Sequence, residues 1–592
     1  MMKFPSFHGI SGAMLQVTRR FPLALASSVI GAIISIVLIK MQVELDGWWG
    51  NVLLTLSLAV PAFIGIVLFT EAKMLVKKLT WGLQSIAILL LILYGFLLPV
   101  GIDSLRPGNL LLHVLLGIAF ALLCTFIPFV FQDAKNGIQR FWEFNKKVFF
   151  AGAVTMIWAV ALQTGLMVAY FAINFLFELN LEQDWIAYIQ ILISGVFAPF
   201  FFLSRVPENP HMLQAETSYP KEVRLFSQYL LVPLVTLYFL ILYVYTIRIL
   251  VTLEWPQGEL AWMIIGFSFV GVLTYLAMYP LRATHRWARY FGAGLFMAMI
   301  PQTGMLFWAL SFRLRDYGIT ENRYFVLVFG GWLLVCAIYY LVSRMKDIRL
   351  IPISLCVLAI LASFGPWGAS AVSERSQVNR LEEILVQNEL LKDGQYVAST
   401  QNISQNDEQE ILEILRYLSE YHSFNAIESW FGGEDLDSLD GSYWSRADRL
   451  VTEKFGLDVN GARDDIEFFH IRLPPNEQAL PIDGYNWAIH LSQMDSMETF
   501  TLEGSTYSLY VPLKDPFALE LRRAGEVLVS VNLTSIVELA KKQSEGKPEE
   551  MFVLVENERV NLRLLVRSLR GSTRSGETEI EELNGLLLLT LK

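Results

Sequence analysis

The first 370 positions of the chain are long apolar runs separated by short polar breaks. A run of about 18 or more apolar residues can cross a hydrocarbon core roughly 30 Å thick. Eleven such runs are present, at 21–39, 51–71, 79–100, 110–131, 149–177, 185–203, 225–251, 260–280, 291–311, 324–342 and 350–367. The pattern therefore predicts a bundle of transmembrane helices, with 149–177 and 225–251 long enough to tilt or to continue past the membrane. Beyond residue 370 the pattern changes. "NDEQEILEILRYLSEY" (406–421) and "SRADRLVTEKFG" (445–456) carry helical periodicity. After about 465 come short β-type runs: "IEFFHIRL", "YNWAIHL", "ETFTLEG", "TYSLYVPL", "EVLVSVNL", "MFVLVEN" and "NGLLLLTL". "RGSTRSGE" (570–577) reads as a turn between two strands. The fold class expected is an α-helical polytopic membrane protein over 1–370, followed by a soluble α+β domain with a mainly antiparallel sheet over 371–592.

Composition supports that division. The 592 residues are 54% hydrophobic and only 17% charged, with a mean hydropathy of +0.44. Residues 1–370 hold 25 Lys and Arg against 17 Asp and Glu, a net of +8, while 371–592 hold 21 against 39, a net of −18. An acidic domain repels phosphates, so nucleic acid is excluded as a partner. The three cysteines, Cys124, Cys336 and Cys356, all lie in apolar segments and leave the soluble part without a disulfide framework.

Orientation follows from the loops, because short cytoplasmic loops collect Lys and Arg. One alternate set (1–20, 72–78, 132–148, 204–224, 281–290, 343–349) holds 19 of them, and the other (40–50, 101–109, 178–184, 252–259, 312–323) holds five. The first set is expected inside. The amino terminus is then cytoplasmic, and an odd number of spans carries the acidic domain outside, into the periplasm of a two-membrane cell. Three of the five outside positives, Arg313, Arg315 and Arg323, share one loop.

Three stretches carry a resemblance: "YPKEVRLFSQYLLVPLVTLYFLILYVY" (219–245), "YGITENRYFVL" (317–327) and "FGPWGASAVSERSQVNRLEEIL" (364–385). Here the chain resembles a family of bacterial multi-span proteins, domain-of-unknown-function family 4153. The resemblance implies an inner-membrane protein and brings no catalytic residues with it. The residues themselves say more. Thr320 suits the start of a helix near Arg323, with Glu321 favourable in its first turn and Asn322 tolerating a turn. Gly365 and Pro366 should end the last span, with Trp367 as an interfacial anchor. Ser373 should cap the next helix beside Glu374, and Val378, Leu381, Ile384 and Leu385 make an apolar stripe.

Chemical motifs are scarce. Glu71 at an inner helix end, Arg248 and His113 are the few charged or titratable residues in the spans, which counts against an ion-coupled pump. Gln163, Asn174, Gln302 and Thr303 read as hydrogen-bond partners between helices. Glu44 and Asp46 form an acidic pair in the first outside loop, beside Trp48 and Trp49, and a solvated turn is the plainer reading than a metal or base site. "GEDLDSLDG" (433–441) fails the register of a calcium loop, and His422, His470 and His490 form no metal-ligand pattern. "GASAV" (368–372) lacks the second glycine of a nucleophile elbow. No metal or cofactor is expected.

The ligand or docking candidates are therefore Arg313, Arg315 and Arg323 with their neighbours Glu321 and Asn322, and Glu374 and Arg375 on the helix after the last span. Guanidinium forks bind carboxylates or phosphates with paired hydrogen bonds, so these arginines could hold the acidic domain or an anionic lipid headgroup. The function expected is a non-enzymatic envelope anchor or scaffold whose outside domain binds an envelope protein. The alternatives are a transporter or channel, and a membrane transferase acting on a lipid-linked substrate. Oligomeric state is left open.

Overall fold

The computed structural model describes residues 7–591, except 44–46, 101–105, 178–180, 211–212, 214–218, 253–258, 344–346, 398–402, 434–435, 437–442, 456–465, 473–484, 492–496, 503–504, 511–516, 524–525, 542–550, 558 and 575–576. Glu44 and Asp46, most of 433–441, and the loop 474–484 lie outside the described residues. The chain divides into two compact units, Met1–Val397 with Arg416–Ser438, and Ala398–Leu415 with Leu439–Lys592.

The first unit is helical: α1 (Phe7–Arg20), α2 (Pro22–Met41), α3 (Trp48–Ala72), α4 (Lys77–Leu97), α5 (Pro107–Phe126), α6 (Ala134–Phe177), α7 (Asp184–Leu192), α8 (Ala198–Leu203), α9 (Lys221–Leu225), α10 (Val232–Thr252), α11 (Glu259–Ala277), α12 (Leu281–Thr284), α13 (Arg286–Tyr317), α14 (Glu321–Val342), α15 (Leu350–Ser363) and α16 (Ala369–Gln387). Among the described residues, ten helical stretches are long and apolar enough to cross a membrane. α6 runs for 44 residues, well past the span expected at 149–177. The π-helical turns Ile193–Phe197 and Phe226–Leu231 join α7 to α8 and α9 to α10 within two of the spans.

The eleventh expected span, 350–367, is shorter than the apolar run suggests. α15 has 14 residues, about 21 Å at 1.5 Å per residue. Gly365 takes a positive φ of 80°, and Gly368 lies so close to the carbonyls of Gly365 and Ala362 that a Cβ there would stand 3.2 and 3.3 Å from them. This tight corner starts α16 at Ala369, four residues before the expected cap. Ser373 is consequently inside the helix and fully buried, and Glu374 is in its second turn. Leu381, Ile384 and Leu385 of the expected stripe are buried. Helices close on one another at small residues: a Cβ on Gly330 of α14 would lie 2.5 Å from Leu306 of α13, and one on Gly271 of α11 would lie 2.6 Å from Leu295 of α13.

The second unit is α+β and wholly antiparallel in its described pairings. A small hairpin of β1 (Leu391–Lys392) and β2 (Gln395–Tyr396) belongs to the first unit. One sheet of the second unit orders β3 (Ile466–Arg472), β10 (Val560–Arg574), β11 (Glu577–Leu591) and β4 (Trp487–Leu491), with β9 (Phe552–Glu556) also paired to β10. The other is a meander of β5 (Met497–Leu502), β6 (Ser505–Tyr510), β7 (Ala518–Arg523) and β8 (Glu526–Asn532). The turn expected at 570–577 joins β10 to β11, but the strands run into it, with Arg574 opposite Glu577. β7 was not among the expected strands, although Leu519 and Leu521 alternate with Glu520 and Arg522, and β10 was implied only by the turn read after it. The core includes Leu519, Leu521, Val531, Leu562, Leu564 and Leu587. Helix α17 (Gln405–Tyr421) is divided between the two units at Leu415, and α18 (Tyr443–Arg449) and α19 (Thr534–Ala540) belong to the second.

Candidate functional site

Charged and polar side chains gather at both ends of the helical unit. At the end where α1 stops and α4 starts, Arg20 gives two 2.8 Å hydrogen bonds to the Glu71 carboxylate and two more to the carbonyls of Val206 and Pro207, at 2.7 and 2.8 Å. Arg349 does the same with Asp347 (closest approach 2.7 Å) and the carbonyls of Phe129 and Gln132, at 2.8 and 3.0 Å. Gly137 makes room for it, since a Cβ there would come within 2.6 Å of the guanidinium. Glu143 and Lys146 form a third buried pair, at 2.7 Å. These residues were read as basic flanks of the spans. The fold pairs Arg20, Lys146 and Arg349 each with a carboxylate.

The opposite end holds the chemically open cluster. α14 begins at Glu321, which is only 6% exposed. Thr320 holds the cap position, without a side-chain capping bond. The last turns of α17 and the residues after it return to this unit and place Tyr417 and His422 on that carboxylate. The Tyr417 hydroxyl donates to Glu321 Oε2 at 2.5 Å, and His422 Nε2 lies 3.1 Å from Glu321 Oε1 and 3.1 Å from the Tyr417 hydroxyl. Burial, and next the Glu321 carboxylate, push the Tyr417 phenol far above its ordinary value, so it stays protonated. On its other side His422 Nδ1 lies 3.3 Å from Ser370 Oγ, in the first turn of α16. Ser370 is exposed, whereas His422 is buried.

Ser370 and His422 open into a cavity of about 290 Å³, whose polar wall includes Arg106, Asn109 and Glu374 and whose apolar wall includes Leu111, Leu112 and Leu115. The first turn of α5 comes close here: a Cβ on Gly108 would lie 3.0 Å from the Tyr421 carbonyl and 3.7 Å from Ser370 Oγ. Among the described residues, no three His, Cys, Asp or Glu side chains gather to hold a metal ion.

The expected docking residues are arranged differently from one another. Arg323 donates to the carbonyls of Tyr317 and Gly318, both at 2.9 Å, and lies over the Tyr317 ring. Gly318, at φ 65°, turns the chain there, and Gln377 and Ser376 of α16 bind the same turn through Tyr317 O, Ile319 O and Ile319 N, at 3.0, 3.2 and 2.9 Å. Arg315 lies in the last turn of α13 and Arg313 in the turn before it, and neither makes an ion pair with a described residue. Asn322 and Arg375 are exposed, while Glu374 faces the cavity. Glu321 is thus the hub, although the sequence offered it only as a first-turn carboxylate and a neighbour of the docking arginines. Ser370, Tyr417 and His422 were missed: they are 49 to 101 positions from Glu321, and no local motif links them.

Of the polar residues expected to bond between helices, Gln302 does so; Thr303 instead donates to Met299 O of its own helix, Asn174 meets a residue just past its helix, and Gln163 Oε1 is buried without a partner among the described residues. The Thr246 hydroxyl donates to Gln302 across α10 and α13 at 3.3 Å, and Asn174 accepts from Leu181 N at 2.9 Å. His113 sits between Ser57 Oγ and the Tyr94 hydroxyl, 3.0 Å from each.

Fold and sites together define a polytopic helical membrane protein that continues into an antiparallel α+β unit. The family described as "Domain of unknown function (DUF4153)" matches residues 26–403, more than half of the chain, and the chain belongs to that family. The match takes in Glu321 and Ser370 and ends before Tyr417 and His422. A Pasteurella multocida (strain Pm70) protein described as uncharacterized is 23% identical over 403 residues, covering 66% of this chain and 66% of that protein. No solved structure matches.

Proposed function

We propose that the protein is an anchor in the bacterial cytoplasmic membrane that presents its acidic α+β unit, outside the cytoplasm, to an envelope protein partner. The 19-to-5 asymmetry of Lys and Arg between alternate loops carries this reading. It puts Arg20, Glu71 and Arg349 at the inner face, and Glu321, Ser370 and the residues that follow at the outer one. α15 is short, but the sequence on either side of it changes from the basic segment 343–349 to the acidic 371–592, as a chain leaving the cytoplasm would. The bonds from Ser376 and Gln377 to the α13–α14 turn, and from Tyr417 and His422 to Glu321, fix the chain that leaves the last helix. A presenting scaffold needs such a rigid exit.

The test is topological. Single cysteines replace Glu526, exposed in β8, and Lys77, at the start of α4, in a chain lacking Cys124, Cys336 and Cys356. Intact spheroplasts treated with an impermeant thiol reagent should label Glu526→Cys at once and Lys77→Cys only after lysis. The reverse order would overturn the proposed orientation and with it the presenting role.

A further inference from the structure

We propose that Ser370, His422 and Glu321 form a nucleophile–base relay that hydrolyses carboxylic esters of amphiphilic molecules. The inference goes beyond the anchoring role and is independent of which membrane face this end occupies.

Proton positions follow from the contacts. The phenol of Tyr417 gives its proton to Glu321 Oε2. Both neighbours of His422 Nε2, the carboxylate oxygen and the phenol oxygen, are therefore acceptors, so in the neutral ring Nε2 carries the hydrogen. Nδ1 is left as the basic nitrogen, and it faces Ser370 Oγ at 3.3 Å. The phenol, itself held by the buried carboxylate, thus orients the imidazole, while the free lone pair meets an exposed hydroxyl. That is the electronic requirement for an activated serine, with the two ring nitrogens exchanged relative to the usual assignment. Ser370 also lies in the first turn of α16, where the helix field favours negative charge.

The cavity selects the substrate. Arg106 and Asn109 make a polar wall at the start of α5, and Leu111, Leu112 and Leu115 continue it down an apolar spanning helix. An ester at Ser370 would keep a polar head in the first and run a hydrocarbon chain along the second. In the reaction Ser370 Oγ bonds to the acyl carbon while its proton passes to His422 Nδ1. The tetrahedral intermediate collapses, the bond from carbon to the alcohol oxygen breaks, and the alcohol leaves with the proton from Nδ1. Water, deprotonated by the same nitrogen, then releases the carboxylic acid and frees Ser370. Glu321 and Tyr417 are positioning residues.

The experiment uses full-length protein in detergent with an alkyl fluorophosphonate, located by peptide mass spectrometry, and a p-nitrophenyl octanoate assay. The wild type should carry one adduct, on Ser370, and hydrolyse the ester. Ser370→Ala, which removes only an exposed hydroxyl, should do neither while melting as the wild type does. His422→Asn and Glu321→Gln should label at least about 100-fold more slowly. Folded wild-type protein without an adduct on Ser370, or labelling as fast in His422→Asn as in the wild type, would refute the relay. Labelling with ester turnover no greater than that of Ser370→Ala would refute the esterase activity.

Discussion

The two ends of the helical unit solve one problem in two ways. Each buries charge beside spanning helices, where an unpaired ion is costly. At the Arg20 and Arg349 end, every guanidinium fork is met by a carboxylate and two main-chain carbonyls. At the Glu321 end the partners are a phenol and an imidazole, both able to gain or lose a proton, and the chain of contacts reaches an exposed hydroxyl. A permanently charged, paired set behaves as a rivet, whereas a titratable set that opens on a cavity can do chemistry.

Mutation should separate the two most sharply at Arg349. Its replacement by Ala strands Asp347 and two carbonyls and should cost about 3–5 kcal/mol, read as a large fall in melting temperature in detergent. Arg349→Lys should recover only part, because a point charge cannot serve the carboxylate and both carbonyls together. Gly137→Ala, which pushes a methyl onto the same guanidinium, should lower the melting temperature in the same direction.

At the other end the losses should be smaller and dependent on pH. Tyr417→Phe removes one donor from a buried carboxylate, a cost of about 1–3 kcal/mol. The native phenol has a raised pKa, so its contribution is present below the ordinary value of about 10 and is lost as the pH climbs through the native one. The wild-type melting temperature should therefore fall more steeply above pH 10 than that of Tyr417→Phe. Parallel slopes would mean that the phenol is not buried against Glu321.

The smallest effects should come from the arginines that stand out in the sequence. Arg323→Ala loses bonds to two carbonyls of a half-exposed turn and should cost no more than about 1 kcal/mol. Arg313→Ala and Arg315→Ala should each stay within about 0.5 kcal/mol of the wild type. A loss at Arg313 or Arg315 comparable to that at Arg349 would show a further contact of these side chains and erase the contrast.

The sequence by itself determined the class of the protein. Apolar runs report the length of a membrane span directly, and strand alternation reports a half-buried sheet, because each is a local consequence of helix or strand geometry. The placement of Gln302 as a partner between helices was legible for the same reason: an amide in an apolar run needs an acceptor or donor nearby. Local pattern placed the end of α15 at Gly365 and Pro366, and the helix does stop at Ser363, but counting the run 350–367 as a span overstated its length. It failed at Ser373, where helix α16 begins four residues early. The Glu321, Ser370, Tyr417 and His422 cluster was decided only by the tertiary structure. Each residue has an ordinary local explanation, as a first-turn acid, a junction serine, a helix tyrosine and a lone histidine. Nothing short of the packing of α14, α16 and the end of α17 brings one carboxylate, one imidazole and one hydroxyl into line, because hydrogen bonds depend on distances in space and the chain records only distances along itself.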